Sequence, residues 1–227
     1  MKAGVRTFSV FGDSISTLQG YNPDGYLVEY AGRNRDYARV SQMEDTWWGM
    51  VIGHFGGRLL ANNSYSGSMV TRGMQKLFPS GCSPERIDDL TAAGRPDVLM
   101  IELGVNDWCG MRQVLPESDR TEWCDAFDTA YAHMLSELRA RLPETEIWCL
   151  NLTYSKEMAM NWPADFLERM KAYNLSIARN AERYGARVID MYAQAAMYTS
   201  WDIGHPDREG MRRMADAVIR AMEAAAR

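Results

Sequence analysis

Hydrophobic and polar positions follow two rhythms along this chain. Short apolar runs at 7–11, 57–62, 97–103, 146–152 and 187–191, bounded by polar or glycine-containing segments, predict five strands. The intervals 46–56, 84–93, 121–142, 163–184 and 207–225 instead place apolar residues three and four apart, which predicts helices with one buried face. In 121–142 the stripe is Trp123, Phe127, Ala130, Met134 and Leu138, and it stops before Pro143. In 163–184 it is Phe166, Met170, Tyr173, Ile177 and Ala181, with Gly185 just past the end. The last helix carries Met211, Met214, Val218 and Met222, and these methionines read as core filler.

Strands alternating with helices imply an α/β protein of three α/β/α layers. The five-stranded sheet is then parallel, covered on both faces, with the flavodoxin-like order 2-1-3-4-5. Long loops at 14–45, 63–83, 104–120 and 192–205 follow strands 1, 2, 3 and 5. Each leaves the carboxyl end of a parallel strand, so all four share the sheet edge where ligands bind in open α/β folds. Loops this long inside a compact domain usually carry function.

Composition narrows the partners. The 227 residues fit one domain over 1–227, and the net charge of −5 is spread without a basic stripe, so nucleic acid is not an expected partner. The first residues lack the apolar core of a signal peptide and no apolar run is long enough for a bilayer, so a cytoplasmic protein without membrane contact is the default expectation. Cys82, Cys109, Cys124 and Cys149 form neither a Cys-x-x-Cys pair nor a zinc-type spacing, so they read as free thiols.

The chemistry concentrates at the two ends. Phe11-Gly12-Asp13-Ser14-Ile15-Ser16 puts a serine on a tight turn after the first strand, and Asp202-Ile203-Gly204-His205-Pro206 puts a histidine three residues after an aspartate. A serine hydroxyl becomes a nucleophile when a base takes its proton and a carboxylate orients that base. His54 and His133 fall inside predicted helices, which leaves His205 as the loop histidine beside a carboxylate. Acyl transfer also needs donors for the developing oxyanion. The backbone N–H groups of Ser14 and Gly67 and the side-chain amide of Asn106, in Gly104-Val105-Asn106-Asp107, lie in loops on the same edge.

At these residues the chain resembles the GDSL/SGNH hydrolases over nearly its whole length. The first block of that family is matched around Ser14, the second by Gly67, the third by 104–107 and the fifth by 202–206. Ile15 stands where the family has leucine; both are apolar, and the nucleophile position is unaffected. The resemblance implies a flavodoxin-like fold, no metal or other cofactor, and hydrolysis of esters or acetyl groups on sugars, lipids or small molecules.

Other residues have plainer readings. Asp13 is a turn residue and Asp107 holds its own loop. Glu102, inside a strand, needs a partner that the sequence does not name. Tyr21, Tyr26, Tyr30 and Tyr37 decorate the first long loop as pocket wall or as anchors; Trp47 and Trp48 lean to core, and Trp108 is expected against substrate. The competing reading is a non-catalytic flavodoxin-like binding protein, with Ser14, Ser16 and Thr17 around a phosphate, or with a glycan as ligand. It leaves Asp202, His205 and Asn106 without a task.

Overall fold

The computed structural model describes residues 5–72, 80–115, 124–194 and 198–227. Its strands are β1 (Thr7–Gly12), β2 (Arg58–Asn62), β3 (Val98–Glu102), β4 (Glu146–Leu150) and β5 (Arg187–Ile189). They form one parallel sheet in the order β2-β1-β3-β4-β5, as expected. Every residue of β3 is buried, as a central strand covered on both faces requires, whereas β2 and β5 at the edges are partly open.

Around the sheet run α1 (Arg33–Ala38), α2 (Trp47–His54), α3 (Pro84–Ala92), α4 (Val105–Cys109), α5 (Phe127–Arg141), α6 (Lys156–Asn161), α7 (Ala164–Glu168), α8 (Met170–Arg183), α9 (Met191–Gln194) and α10 (Arg208–Ala225). They pack in two groups, α2 with α10, and α5 with α8 and α3. The predicted stripes are the packing surfaces: Phe127, Ala130, Met134 and Leu138 of α5, Met170, Tyr173, Ile177 and Ala181 of α8, and Met211, Met214, Val218 and Met222 of α10 are all buried. Three predicted helix starts are sharp because side chains cap them: Thr46 accepts from Gly49 N, Ser83 from Arg86 N and Asp207 from Gly210 N.

Two expected helices differ from the pattern. The helix expected over 121–142 begins at Phe127: 124–125 form a turn, Ala126 is its extended N-cap, and the first two helical N–H groups are taken by another segment, Phe127 N donating to Gln113 O and Asp128 N to Val114 O, both at 2.7 Å. Trp123, placed on its stripe, lies outside the described residues. The helix expected over 163–184 is interrupted at Arg169 into α7 and α8. The short helices α1 and α4 fall in segments read as loops, α9 begins at the end of the fifth strand candidate and runs into the loop after it, and α6 lies in the unassigned stretch between the fourth strand and the next helix, since four to six residues carry too little periodicity to register. All four cysteines are free thiols. Among the described residues no helix is long and apolar enough to cross a membrane.

Candidate active site

β1 lies in register with β3, so Gly12 sits beside Glu102 at the carboxyl edge. There the chain turns through a single 3-10 turn, Ser14–Ser16, capped by Asp13, whose carboxylate accepts from Ile15 N at 3.0 Å. Four side chains hold this turn through Ser16. Its hydroxyl donates to Glu102 (2.9 Å) and accepts from the Trp47 indole (3.0 Å); its carbonyl accepts from the Trp48 indole (3.0 Å) and the Asn62 amide (2.9 Å). Trp47 and Trp48 are fully buried, so they serve the core and the turn together. Glu102 thereby gains the partner it needed. Burial and the nearby Asp13 charge push its carboxyl far above the usual range.

Ser14 is 5% exposed, and its Oγ lies 3.0 Å from His205 Nε2. His205 Nδ1 lies 2.7 Å from Asp202 Oδ2, while Asp202 Oδ1 accepts from the backbone N–H groups of Gly204 (2.7 Å) and His205 (2.6 Å). One carboxylate therefore fixes both the imidazole and the bend that presents it. Burial pushes the Asp202 carboxyl up, but the hydrogen bonds from His205 and Gly204 prevail and hold it below the usual range. Burial pulls His205 down, yet the Asp202 bond and the charges of Glu29, Asp202 and Asp13 leave it above an ordinary histidine. Trp201 stacks on His205 at 6.4 Å and on Tyr37 at 6.1 Å; behind it opens a cleft of about 880 Å³ lined by Tyr37, Arg39, Met50, Arg208 and Arg212.

The expected oxyanion donors lie on the neighbouring loop and on α4. Gly67, at φ +80°, sits between Tyr65, whose N–H donates to Gly12 O (3.2 Å), and Ser68, whose carbonyl accepts from Asn106 Nδ2 (2.9 Å). Asp107 clips the same loop to α4 by accepting from Val70 N (2.7 Å) and Thr71 N (3.0 Å). Gly104, at φ +126°, turns β3 into α4; a Cβ there would stand 3.0 Å from the Phe127 ring.

Arg86, at the start of α3, escapes the sequence reading. It is wholly buried and donates to Asn63 Oδ1 (2.8 Å), Asn63 O (2.8 Å), Gly12 O (2.7 Å) and Ser68 Oγ, with its guanidinium over the Phe11 ring. Burial lowers it to about 10. Its neighbours in Pro84-Glu85-Arg86-Ile87-Asp88 suggest a solvated face, but Arg86 lies one turn from Leu90, on the apolar side, and that spacing is the available signal.

The expected substrate contacts are more divided. Trp108 is 1% exposed; its indole donates to Phe166 O (3.0 Å) and packs on Trp162 and Phe166, which leaves it no open face. The Tyr26 hydroxyl donates to Asp89 (2.7 Å) and its ring leans on Tyr65. Tyr21, edge-on to Trp48, is 40% exposed. The hydroxyls imagined around a phosphate are otherwise engaged, Ser16 as above and Thr17 donating to Ser14 O (2.8 Å). Among the described residues, the one group with three donor atoms close enough for a metal ion is Glu29, Asp202 and His205; within it His205 Nδ1 lies 2.7 Å from Asp202 Oδ2, and Glu29 Oε1 accepts from Asn34 Nδ2 at 2.9 Å.

Residues 6–222 match the family described as GDSL-like lipase/acylhydrolase. Solved structures share the fold. A Bacteroides ovatus protein described as a GDSL-like lipase superposes with a TM-score of 0.77 at 22% identity, covering 98% of this chain and 100% of its own. A variant of an acetyl xylan esterase from Geobacillus stearothermophilus gives 0.63 at 19%, covering 97% and 96%. A carbohydrate esterase family 2 enzyme from Corynascus thermopiles, which carries a carbohydrate-binding domain, gives 0.64 at 19%, covering 100% of this chain and 68% of its own. A search of the curated proteins finds no match.

Proposed function

We propose that this chain, which belongs to the GDSL-like lipase/acylhydrolase family, cleaves carboxylic esters through a Ser14–His205–Asp202 triad and an acyl-enzyme, releasing acetyl or other short acyl groups from a carbohydrate, lipid or small molecule. The observation that carries this reading is His205 bridging Ser14 Oγ (3.0 Å) and Asp202 Oδ2 (2.7 Å). With Nδ1–H donating to Asp202, Nε2 is free to accept the serine proton. Ser14 Oγ then attacks the ester carbonyl as its proton passes to Nε2, and the imidazolium is stabilised by the Asp202 carboxylate.

The backbone N–H groups of Ser14 and Gly67 and the Asn106 amide receive the oxyanion. One Asn106 N–H is held by Ser68 O, which points the side chain and leaves its second N–H for the substrate. Collapse of the tetrahedral species expels the alcohol, protonated by His205, and a water activated by the same histidine releases the acid. The esterases named among the structural neighbours support the substrate class through a shared fold.

Labelling with a fluorophosphonate probe tests the assignment. Wild type is expected to label, and Ser14→Ala to lose labelling together with hydrolysis of p-nitrophenyl acetate. His205→Ala should slow both by a factor on the order of 10³ or more. Labelling that persists in Ser14→Ala overturns the nucleophile.

A further inference from the structure

Asp202 is not alone in facing Nδ1 of His205. Glu29 Oε1 lies 3.9 Å away from the same nitrogen. That is too long for a hydrogen bond and well within the range where a carboxylate stabilises a neighbouring positive charge. Resting on the proposal that His205 is the base, we infer that Glu29 is a positioning residue, a second carboxylate that shares with Asp202 the task of orienting His205 and stabilising its imidazolium.

The surroundings of Glu29 are built for this. Its side chain is 17% exposed, less than the 34% of Asp202. Asn34 Nδ2 donates to Oε1 at 2.9 Å and to the Glu29 carbonyl at 3.1 Å, so one amide fixes both ends of the residue. The Glu29 N–H donates to Thr17 Oγ1 (2.9 Å), and Thr17 donates to Ser14 O (2.8 Å). Two hydrogen bonds thus tie Glu29 to the backbone of the nucleophile. The next residue, Tyr30, is buried and donates to Pro206 O (2.8 Å), beside the base. Residues 29 and 30 therefore span Ser14 and His205 and hold their separation.

Charge argues the same way. Among the described residues no lysine or arginine pairs with Glu29 or Asp202, and the acidic groups acting on His205 are Asp202, Glu29 and the buried Asp13. A mostly buried carboxylate without a cation is unfavourable. That condition is relieved when His205 takes the serine proton, so the interaction is stronger in the transition state than in the resting enzyme, which is the requirement for acceleration.

The test is Glu29→Gln, which keeps the shape and the acceptor for Asn34 while removing the charge. The acidic limb of kcat/KM is expected to move down by about half a pH unit or more, and kcat to fall several-fold, roughly 3- to 10-fold, with little change in KM. In an Asp202→Asn background, where Glu29 is the remaining close carboxylate, the same change should cost at least about five times more than in wild type. A carboxylate that merely staples its loop to Asn34 would leave the limb in place. A limb unmoved within about 0.1 unit, with equal losses in both backgrounds, overturns the inference. Should Glu29→Gln not fold, Asn34→Ala keeps the charge but loosens it, and is expected to shift the limb the same way by less. Fluorophosphonate labelling in the same preparations separates the two levels. Labelling lost in Ser14→Ala with an unmoved Glu29→Gln profile refutes the role of Glu29 alone. Labelling retained in Ser14→Ala refutes the nucleophile and, with it, this inference.

Discussion

Replacing Arg86 with alanine should cost both stability and rate, through different bonds. The guanidinium gives donors to two Asn63 acceptors, the Gly12 carbonyl and the Ser68 hydroxyl. Gly12 O keeps a second donor in Tyr65 N, and the Ser68 hydroxyl can rotate, so the lasting loss is at Asn63. Orphaning its two buried acceptors and weakening the third costs roughly 3–6 kcal/mol, and losing the buried stem and its stacking on Phe11 costs about 2–3 kcal/mol more. Against this stands the release of a desolvated cation. Burial lowers Arg86 from 12.5 to about 10, and a shift of that size corresponds to roughly 3 kcal/mol recovered. The net loss is on the order of 4 kcal/mol, or about 8–16 °C in Tm for a chain of this length. Ser68 also carries the carbonyl that points Asn106, so kcat/KM measured well below Tm should fall by about tenfold. Thermal unfolding by circular dichroism, with esterase assays at low temperature, checks both. A Tm drop under about 4 °C with unchanged kcat/KM would refute the claim that this buried arginine supports the loop.

Other outcomes follow from the same structure. The kcat/KM of wild type should rise with pH through an apparent pKa above the ordinary histidine value of about 6.5, because only neutral His205 can accept the serine proton and its surroundings favour the charged form; a limb below 6 on an activated ester contradicts this. Asn106→Ala should lower kcat by a factor of roughly 10² to 10³ with KM nearly constant, as for loss of one oxyanion donor. Burial pushes Asp107 up to about 6 against an ordinary 3.8, so the wild type should lose up to roughly 3 kcal/mol as pH rises from 4 to 6, and Asp107→Asn, which has no such titration, should show a flatter Tm–pH curve. Gly49→Ala would place a Cβ 1.8 Å from the Met43 carbonyl, and should destabilise the protein by at least about 3 kcal/mol in urea unfolding.

What was legible in the sequence were features with a local cause. The strand order followed from the alternation of five strands with helices, and the buried stripes of α5, α8 and α10 from their spacing. Four of the five residues expected around the reaction, Ser14, Gly67, Asp202 and His205, lie in turns and bends, and the fifth, Asn106, opens the short helix α4 just after β3; there glycine and polar types stand out against apolar runs. Three of them, Ser14, His205 and Asp202, form one hydrogen-bonded line, and Gly67 and Asn106 flank the bond to Ser68. Partners that act across the fold were not legible. Arg86, Glu29 and the Trp47–Ser16–Glu102 chain are defined by which strands lie side by side, and no window of neighbouring residues contains that information. Trp108 shows the converse: its position two residues after Asn106 suggested an exposed ring, and the packing of α4 on α7 decides otherwise.

The nucleophile and the base stand 191 positions apart, and the base arrives just ahead of α10, which packs on α2. On the proposed triad, the five strands all precede Asp202 and His205 along the chain, so a sheet can form while its serine still lacks a base. The same division suits fragment complementation: a piece carrying Ser14 and a piece from Tyr198 onward carrying Asp202, His205 and α10 would each be silent. Their reassembly could be read directly as ester turnover.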